Sequence, residues 1–242
     1  MPVSWIDGFW DIIFPPSCLL CQLRLSADEK QQSTPFCERC ASRVSPVGWF
    51  CLRCKSAGEK GLPCSCHVSR HGLQRLFSLA WYEGDWRKLL HRFKYYSRPQ
   101  LATPLGRHLA SKLQQDSHWP SADFISSIPL HPQRYKERGY NQSYLLARRV
   151  SSEMKIPYAP LLQRVRSTVS QTSLSRRERF ANMHGAFAIS AKYEKLNFKG
   201  SSILLIDDIY TTGSTLQEAA RVLVGSGARE VKGAVMGLQR MR

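Results

Sequence analysis

Twelve residues near the C-terminus constrain this chain more than any others: Leu204-Leu205-Ile206-Asp207-Asp208-Ile209-Tyr210-Thr211-Thr212-Gly213-Ser214-Thr215. The apolar start reads as a strand buried on both faces, which belongs to a parallel sheet covered by helices. Two adjacent carboxylates follow, then a turn of small residues, then a helix over Thr215–Val224. In open α/β sheets, ligands bind at the carboxyl ends of the strands, so this turn lies on the binding rim. Its N–H groups can wrap a phosphate, helped by the hydroxyls of Thr211, Thr212, Ser214 and Thr215 and by the helix start. Gly213 lets the backbone approach closely. Asp207 and Asp208 precede the turn and can accept hydrogen bonds from sugar hydroxyls. The segment contains neither GxxxxGK[ST] nor GxGxxG, so it is neither a Walker loop nor a dinucleotide fingerprint. The bland alternative is a plain strand end with a helix cap.

The remaining pattern agrees with an α/β chain. Strand character is read at Leu76–Tyr82, Asp123–Ile128, Pro157–Arg164, Ala186–Ser190, Ser202–Asp207 and Val231–Leu238. Helical periodicity is read at Trp86–Tyr95, with Trp86, Leu89, Leu90 and Phe93 on one face, at Leu101–Gln115 and from Asn141 to Met154. Strands alternating with helices imply right-handed crossovers and a parallel sheet flanked by helices. Two stretches read as loops: the basic run His131–Gln142 and the polar run Arg164–Asn182.

All eight cysteines lie between Cys18 and Cys66, as Cys18-x-x-Cys21, Cys37-x-x-Cys40, Cys51-x-x-Cys54 and Cys64-x-Cys66. A CxxC turn aims two thiolates at one centre, and a tetrahedral zinc needs two such turns. Two structural zinc sites are expected, Cys18/Cys21/Cys37/Cys40 and Cys51/Cys54/Cys64/Cys66. Interleaved pairing, a single occupied site, and His67 in place of Cys66 stay open. Redox chemistry would need a βαβ context that this segment lacks. The division expected is therefore a zinc-ribbon module over 1–71 and the α/β domain over 72–242.

Formal net charge is +17, and His131–Phe180 alone holds eleven Lys or Arg against three Glu. Such a balance favours polyanions, nucleic acid or phosphorylated metabolites among them. Basic residues alternate with aromatics at Arg92-Phe93-Lys94-Tyr95-Tyr96 and Arg134-Tyr135-Lys136. That pattern suits single-stranded nucleic acid, with Arg92, Lys94, Tyr95, Lys136 and Arg138 as candidate contacts. For the aromatics the plainer alternative is core packing. No apolar run approaches the ~20 residues that cross a bilayer. Met1–Trp10 has no Lys or Arg and carries Asp7, so a cytoplasmic protein without a secretory signal is expected.

The string around Asp207 and Asp208 resembles the 5-phosphoribosyl-1-pyrophosphate (PRPP) motif of type I phosphoribosyltransferases, from about Trp81 onward. The resemblance implies a 5′-phosphate held by Thr211–Thr215, ribose hydroxyls held by Asp207 and Asp208, and Mg²⁺ carried on PRPP. With the cysteine pairs, IPLHPQRYKERGYNQ, HRFKYYSRP and QTSLSRRERFANMHGAF, nearly the whole chain is similar to the ComF family, including the GntX-like DNA-utilisation proteins. By order along the chain, Arg134, Lys136 and Arg138 correspond to the pyrophosphate-side loop. Gln171, Arg176, Arg177, Arg179 and Asn182 correspond to the mobile loop that closes over the reacting centre. The family implies a role in uptake of external DNA, with uptake-machinery proteins as further partners. Two alternatives remain: a transferase of nucleotide metabolism unrelated to DNA, and a non-catalytic nucleic-acid-binding or scaffold protein. No residue is identified as general acid or base, so catalysis is left open.

Overall fold

The computed structural model describes residues 16–26, 28–29, 34–52, 54, 57–58, 72–73, 75–96, 98–116, 121–166, 176–193 and 198–240, with the backbone alone at 57–58 and 176–177. Six strands make the main sheet: β1 (Pro46–Phe50), β2 (Ala57–Gly58), β3 (Arg75–Trp81), β4 (Phe124–Ser127), β7 (Ser202–Tyr210) and β8 (Glu230–Leu238). Their order is β2-β1-β3-β8-β7-β4. The four strands β3, β8, β7 and β4 are parallel, with Leu204 between Lys232 and Ile125 fixing the register. β1 runs antiparallel to β3, pairing Trp49 with Phe77, so the sheet continues into the chain that follows the first cysteines.

Alternation along β7 builds both cores. Leu204 and Ile206 point into one, Ile203 and Leu205 into the other, as the two-residue period of a strand requires. The first core is closed by α2 (Gly84–Tyr95), α3 (Ala102–Gln115) and α5 (Gln142–Met154), through residues such as Leu89, Leu109 and Leu146. Short α1 (Glu38–Ala41) joins it through Cys40. The second core is closed by α7 (Ser214–Gly225), through Leu216 and Leu223. Trp86, Leu89, Leu90 and Phe93 of α2 are all buried, the face that their spacing marked out.

Three expected elements differ. The basic run after His131 contains a helix, α4 (Pro132–Arg138). Proline stands at its first position, His131 Nδ1 accepts from the Gln133 N–H at 3.3 Å, and Gly139 closes it at φ 76°. None of its residues is buried, so no apolar stripe announced it. The polar run ending at Asn182 likewise contains α6 (Arg176–Met183). The strand read at Pro157–Arg164 shrinks to β5 (Leu162–Arg164), which pairs with β6 (Phe187–Ile189) outside the main sheet. Pro157 and Pro160 lack the N–H groups that a longer ladder needs. Among the described residues, no helix is long and apolar enough to cross a membrane.

Candidate functional site

The carboxyl ends of the parallel strands open onto a cleft of about 1010 Å³. β7 carries both carboxylates to its rim, because the strand runs on past them to Tyr210 rather than stopping at Asp207. Each is largely buried, Asp207 at 9% exposure and Asp208 at 8%. The turn then doubles back into α7 through Gly213 at φ 83°. A Cβ on Gly213 would meet the Tyr210 hydroxyl at 2.0 Å, so the ring of Tyr210 seals the turn from inside. No side chain caps α7. Thr211 and Thr215 line the cleft, Thr212 and Ser214 face one another at 3.2 Å between their hydroxyls, and Ser214 is buried.

Two carboxylates this close strain each other. Burial first, and the neighbouring Asp208 charge second, push Asp207 up to about 7. The Ser143 hydroxyl donates to Asp207 Oδ1 at 2.8 Å, and the Asp208 N–H reaches the same oxygen at 2.9 Å. Asp208 is met by an ammonium: Lys94 Nζ lies 3.0 Å from Oδ2 and 3.3 Å from Oδ1. Burial works against the Lys94 charge, yet the two carboxylates prevail and hold its pKa above the ordinary lysine value.

Among the described residues, six cationic side chains line the cleft against three carboxylates, so their net field favours an anion. Arg134 and Arg138 approach from α4, Arg164 from the end of β5, and Arg179 from α6. Arg134 pairs with Glu137 at 2.9 Å. Arg138 donates to Gln142 Oε1 at 3.3 Å and lies 5.1 Å over the Tyr95 ring. Burial lowers the Arg164 pKa, with Arg134 and Arg166 adding to it and Asp207 opposing. Lys136 is exposed and does not line the cleft.

The basic–aromatic run on α2 divides. Tyr95 stays exposed at the cleft mouth, and His91 stacks on it at 4.6 Å. Arg92 turns the other way and donates to the Leu19 carbonyl at 2.9 Å, while Lys94 turns inward to Asp208. The side chains of Arg176 and Arg177, and all of Gln171, lie outside the described residues. Ser143, Arg164 and the inward turn of Lys94 escaped the sequence reading. No local pattern marks them, since each depends on a partner more than 30 residues away.

Beside the last turn of α2, which Arg92 joins to the Leu19 carbonyl, stands the first cysteine quartet. The thiols of Cys18, Cys21, Cys37 and Cys40 lie within 4.8 Å of one another, and Cys21 Sγ is 3.7 Å from Cys37 Sγ. Tetrahedral zinc at Zn–S ~2.3 Å requires S···S near ~3.8 Å, so the residues fit that ion. Burial opposes ionisation of Cys18, but the N–H groups of Cys21, Cys37 and Leu20 lower it to about 7. Burial pushes Cys40 up to about 12. Both thiols are buried, and a dication among them would favour the thiolate form of each. In the second quartet the Cys54 N–H reaches Cys51 Sγ at 3.5 Å. Cys64, Cys66 and His67 lie outside the described residues.

Comparison with known proteins adds to this geometry. The phosphoribosyl transferase domain family matches residues 141–240. A DNA utilization protein YhgH from Salmonella typhi is 32% identical over 90% of this chain and 95% of its own length. Competence protein F from Haemophilus influenzae is 29% identical, covering 89% of each chain. Competence protein ComFC from Bacillus subtilis is 27% identical over 87% of this chain and 89% of its own. Similarity at 32% identity over 90% of the chain, with relatives named for DNA utilisation and competence, makes this chain a member of the ComF family, with a phosphoribosyltransferase domain at its C-terminal side.

Proposed function

We propose that the chain binds PRPP in the cleft above β7 and single-stranded DNA at the cleft mouth, and that it acts in the uptake or utilisation of external DNA in the cytoplasm. The observation that carries the PRPP reading is the pairing of two rim carboxylates with the small-residue turn at the start of α7, in a cleft where cationic side chains outnumber carboxylates among the described residues. Residues 1–71 would carry the metal-bound module, with β1 and β2 joined to the sheet of residues 72–242, which would carry the phosphoribosyl site.

Thr211–Thr215 would take the 5′-phosphate on backbone N–H groups and hydroxyls. Asp207 and Asp208 would accept from the ribose diol. Arg134, Arg138, Arg164 and Arg179 would take the pyrophosphate. They would stabilise the charge that develops as it leaves an oxocarbenium-like ribosyl centre. Both oxygens of Asp208 face Lys94, so the protein offers Mg²⁺ few free ligands. The ion suits the pyrophosphate oxygens and water, as a hard octahedral cation that keeps part of its hydration. In the cysteine quartet, Zn²⁺ would neutralise the thiolates and brace the fold. α6, bearing Arg179, stands where closure would exclude water from the activated sugar.

The DNA reading rests on Tyr95, Tyr96 and Tyr135, exposed at 54%, 63% and 53%, beside Arg138 and Lys136. Rings in such positions stack bases, and the cations follow the phosphates. Relatives named for competence and DNA utilisation support the same reading. Partners in the uptake machinery would dock on the metal-bound module.

Titration calorimetry with PRPP and Mg²⁺ tests the first half. Asp207→Ala with Asp208→Ala should abolish binding while the fold, followed by circular dichroism, survives; unchanged affinity would refute the site. Anisotropy with labelled single strands tests the second. Affinity should fall steeply between about 50 and 200 mM salt, and a flat response contradicts phosphate-driven binding. Pyrophosphate release with a free base, and no DNA binding, would return the chain to nucleotide metabolism.

A further inference from the structure

We infer that Lys94 is a specificity-determining latch, which discriminates an activated, pyrophosphate-bearing pentose from a plain pentose monophosphate. The inference rests on the PRPP reading above and deepens it.

The ammonium lies across both oxygens of Asp208, at 3.0 and 3.3 Å, and the two side chains keep only 21% and 11% exposure. Both carboxylate oxygens of Asp208 are therefore engaged by a residue of its own chain at the cleft wall. A ribose diol needs that carboxylate as an acceptor, so any sugar entering must displace Lys94. Breaking a partly buried charge-assisted contact has a cost, and a ligand that offers nothing in return binds weakly for that reason.

The backbone of Lys94 cannot follow its side chain. The Gln142 amide donates to the Lys94 carbonyl at 3.2 Å, the Tyr140 hydroxyl donates to the preceding Phe93 carbonyl, and Phe93 is fully buried. The ammonium must swing from a fixed Cα. Arg138 lines the same cleft, and its charge acts against that of Lys94. Two cations lining one cleft favour an anion there. The pyrophosphate of PRPP would be that anion and take up the released ammonium. Ribose 5-phosphate displaces the same latch but brings no second anion to receive it.

This arrangement predicts effects of opposite sign, which a purely structural residue would not produce. The experiment is calorimetric titration of PRPP with Mg²⁺, and separately of ribose 5-phosphate, onto wild type, Lys94→Met and Lys94→Arg. Lys94→Met should bind PRPP roughly tenfold more weakly and ribose 5-phosphate several-fold more tightly, the scale of one charge-assisted contact. Lys94→Arg should keep the wild-type preference within about threefold and covers the case in which Lys94→Met does not fold. Equal changes for both ligands in Lys94→Met, or loss of the preference in Lys94→Arg, overturn the latch while leaving the site assignment intact. Wild type that binds neither ligand overturns both.

Discussion

Two places in this molecule crowd groups of one sign together, and they solve the problem differently. The quartet Cys18, Cys21, Cys37 and Cys40 gathers four thiols within 4.8 Å and has no cationic side chain among its members. The strand end at Asp207 and Asp208 gathers two buried carboxylates and brings its own cation, Lys94, from 114 residues away. The first site would draw a metal to neutralise its thiolates; the second already holds an ammonium against Asp208, which on the proposal above a ligand displaces. The candidate metal centre and the candidate binding centre thus differ in whether the chain supplies its own counter-charge.

Removing the metal should break the comparison most. Cys18→Ser with Cys40→Ser, or chelation, should abolish stoichiometric zinc and lower Tm by on the order of 10 °C, since metal binding is folding free energy for so small a segment. Zinc affinity should also weaken as pH falls, because protons compete for the buried thiols, and more steeply below about 7, where Cys18 regains its proton as well. Unchanged melting with zinc lost would show that the quartet needs no cation.

Gly213→Ala comes next. What a metal would do for the cysteine quartet, Gly213 and Tyr210 do for the turn after β7. A Cβ there meets φ 83° and the Tyr210 ring together, so destabilisation of about 2–3 kcal/mol is expected by chemical denaturation. A loss below about 0.5 kcal/mol, the scatter of surface substitutions, would mean the turn relaxes freely.

Asp207→Asn sharpens the acidic side. The folded pKa of about 7 lies above the ordinary carboxylate value. Ionisation is therefore harder in the folded chain, and stability should decline as pH rises from about 4 to about 7, then level off. The variant should remove that slope and gain about 1–2 kcal/mol at neutral pH, while losing ligand affinity, as strained sites do. An unchanged slope would place the strain elsewhere.

The smallest effect should come from Arg92→Met. Its guanidinium ties α2, which carries Lys94, to the Leu19 carbonyl between Cys18 and Cys21. Losing that partly exposed contact should cost about 1 kcal/mol, read as a Tm shift of a few degrees with zinc content unchanged. Loss of zinc in this variant would show that the contact holds the quartet itself.

Much of this was legible in the sequence. Runs of alternating or continuous apolar residues marked β7, β8, α2 and the parallel sheet, because burial writes its period into the chain. The CxxC pairs marked the quartet for the same reason: ligand geometry is local. α4 and α6 left no such trace, since α4 buries none of its side chains and both present charge to the cleft. Lys94 and Arg92 read together as one basic stripe. In the fold they leave the last turn of α2 on different sides, one toward Asp208 and one toward Leu19. Ser143 and Arg164 were invisible because their meaning comes from Asp207, which the chain reaches only after folding.

The most direct test of the central claim is a crystal structure of the metal-loaded protein with PRPP and Mg²⁺. The 5′-phosphate should lie against Thr211–Thr215, the ribose hydroxyls against Asp207 and Asp208, and Lys94 should have left Asp208 for the pyrophosphate. PRPP bound elsewhere, or a cleft that stays empty while Lys94 keeps its carboxylate, would contradict the account.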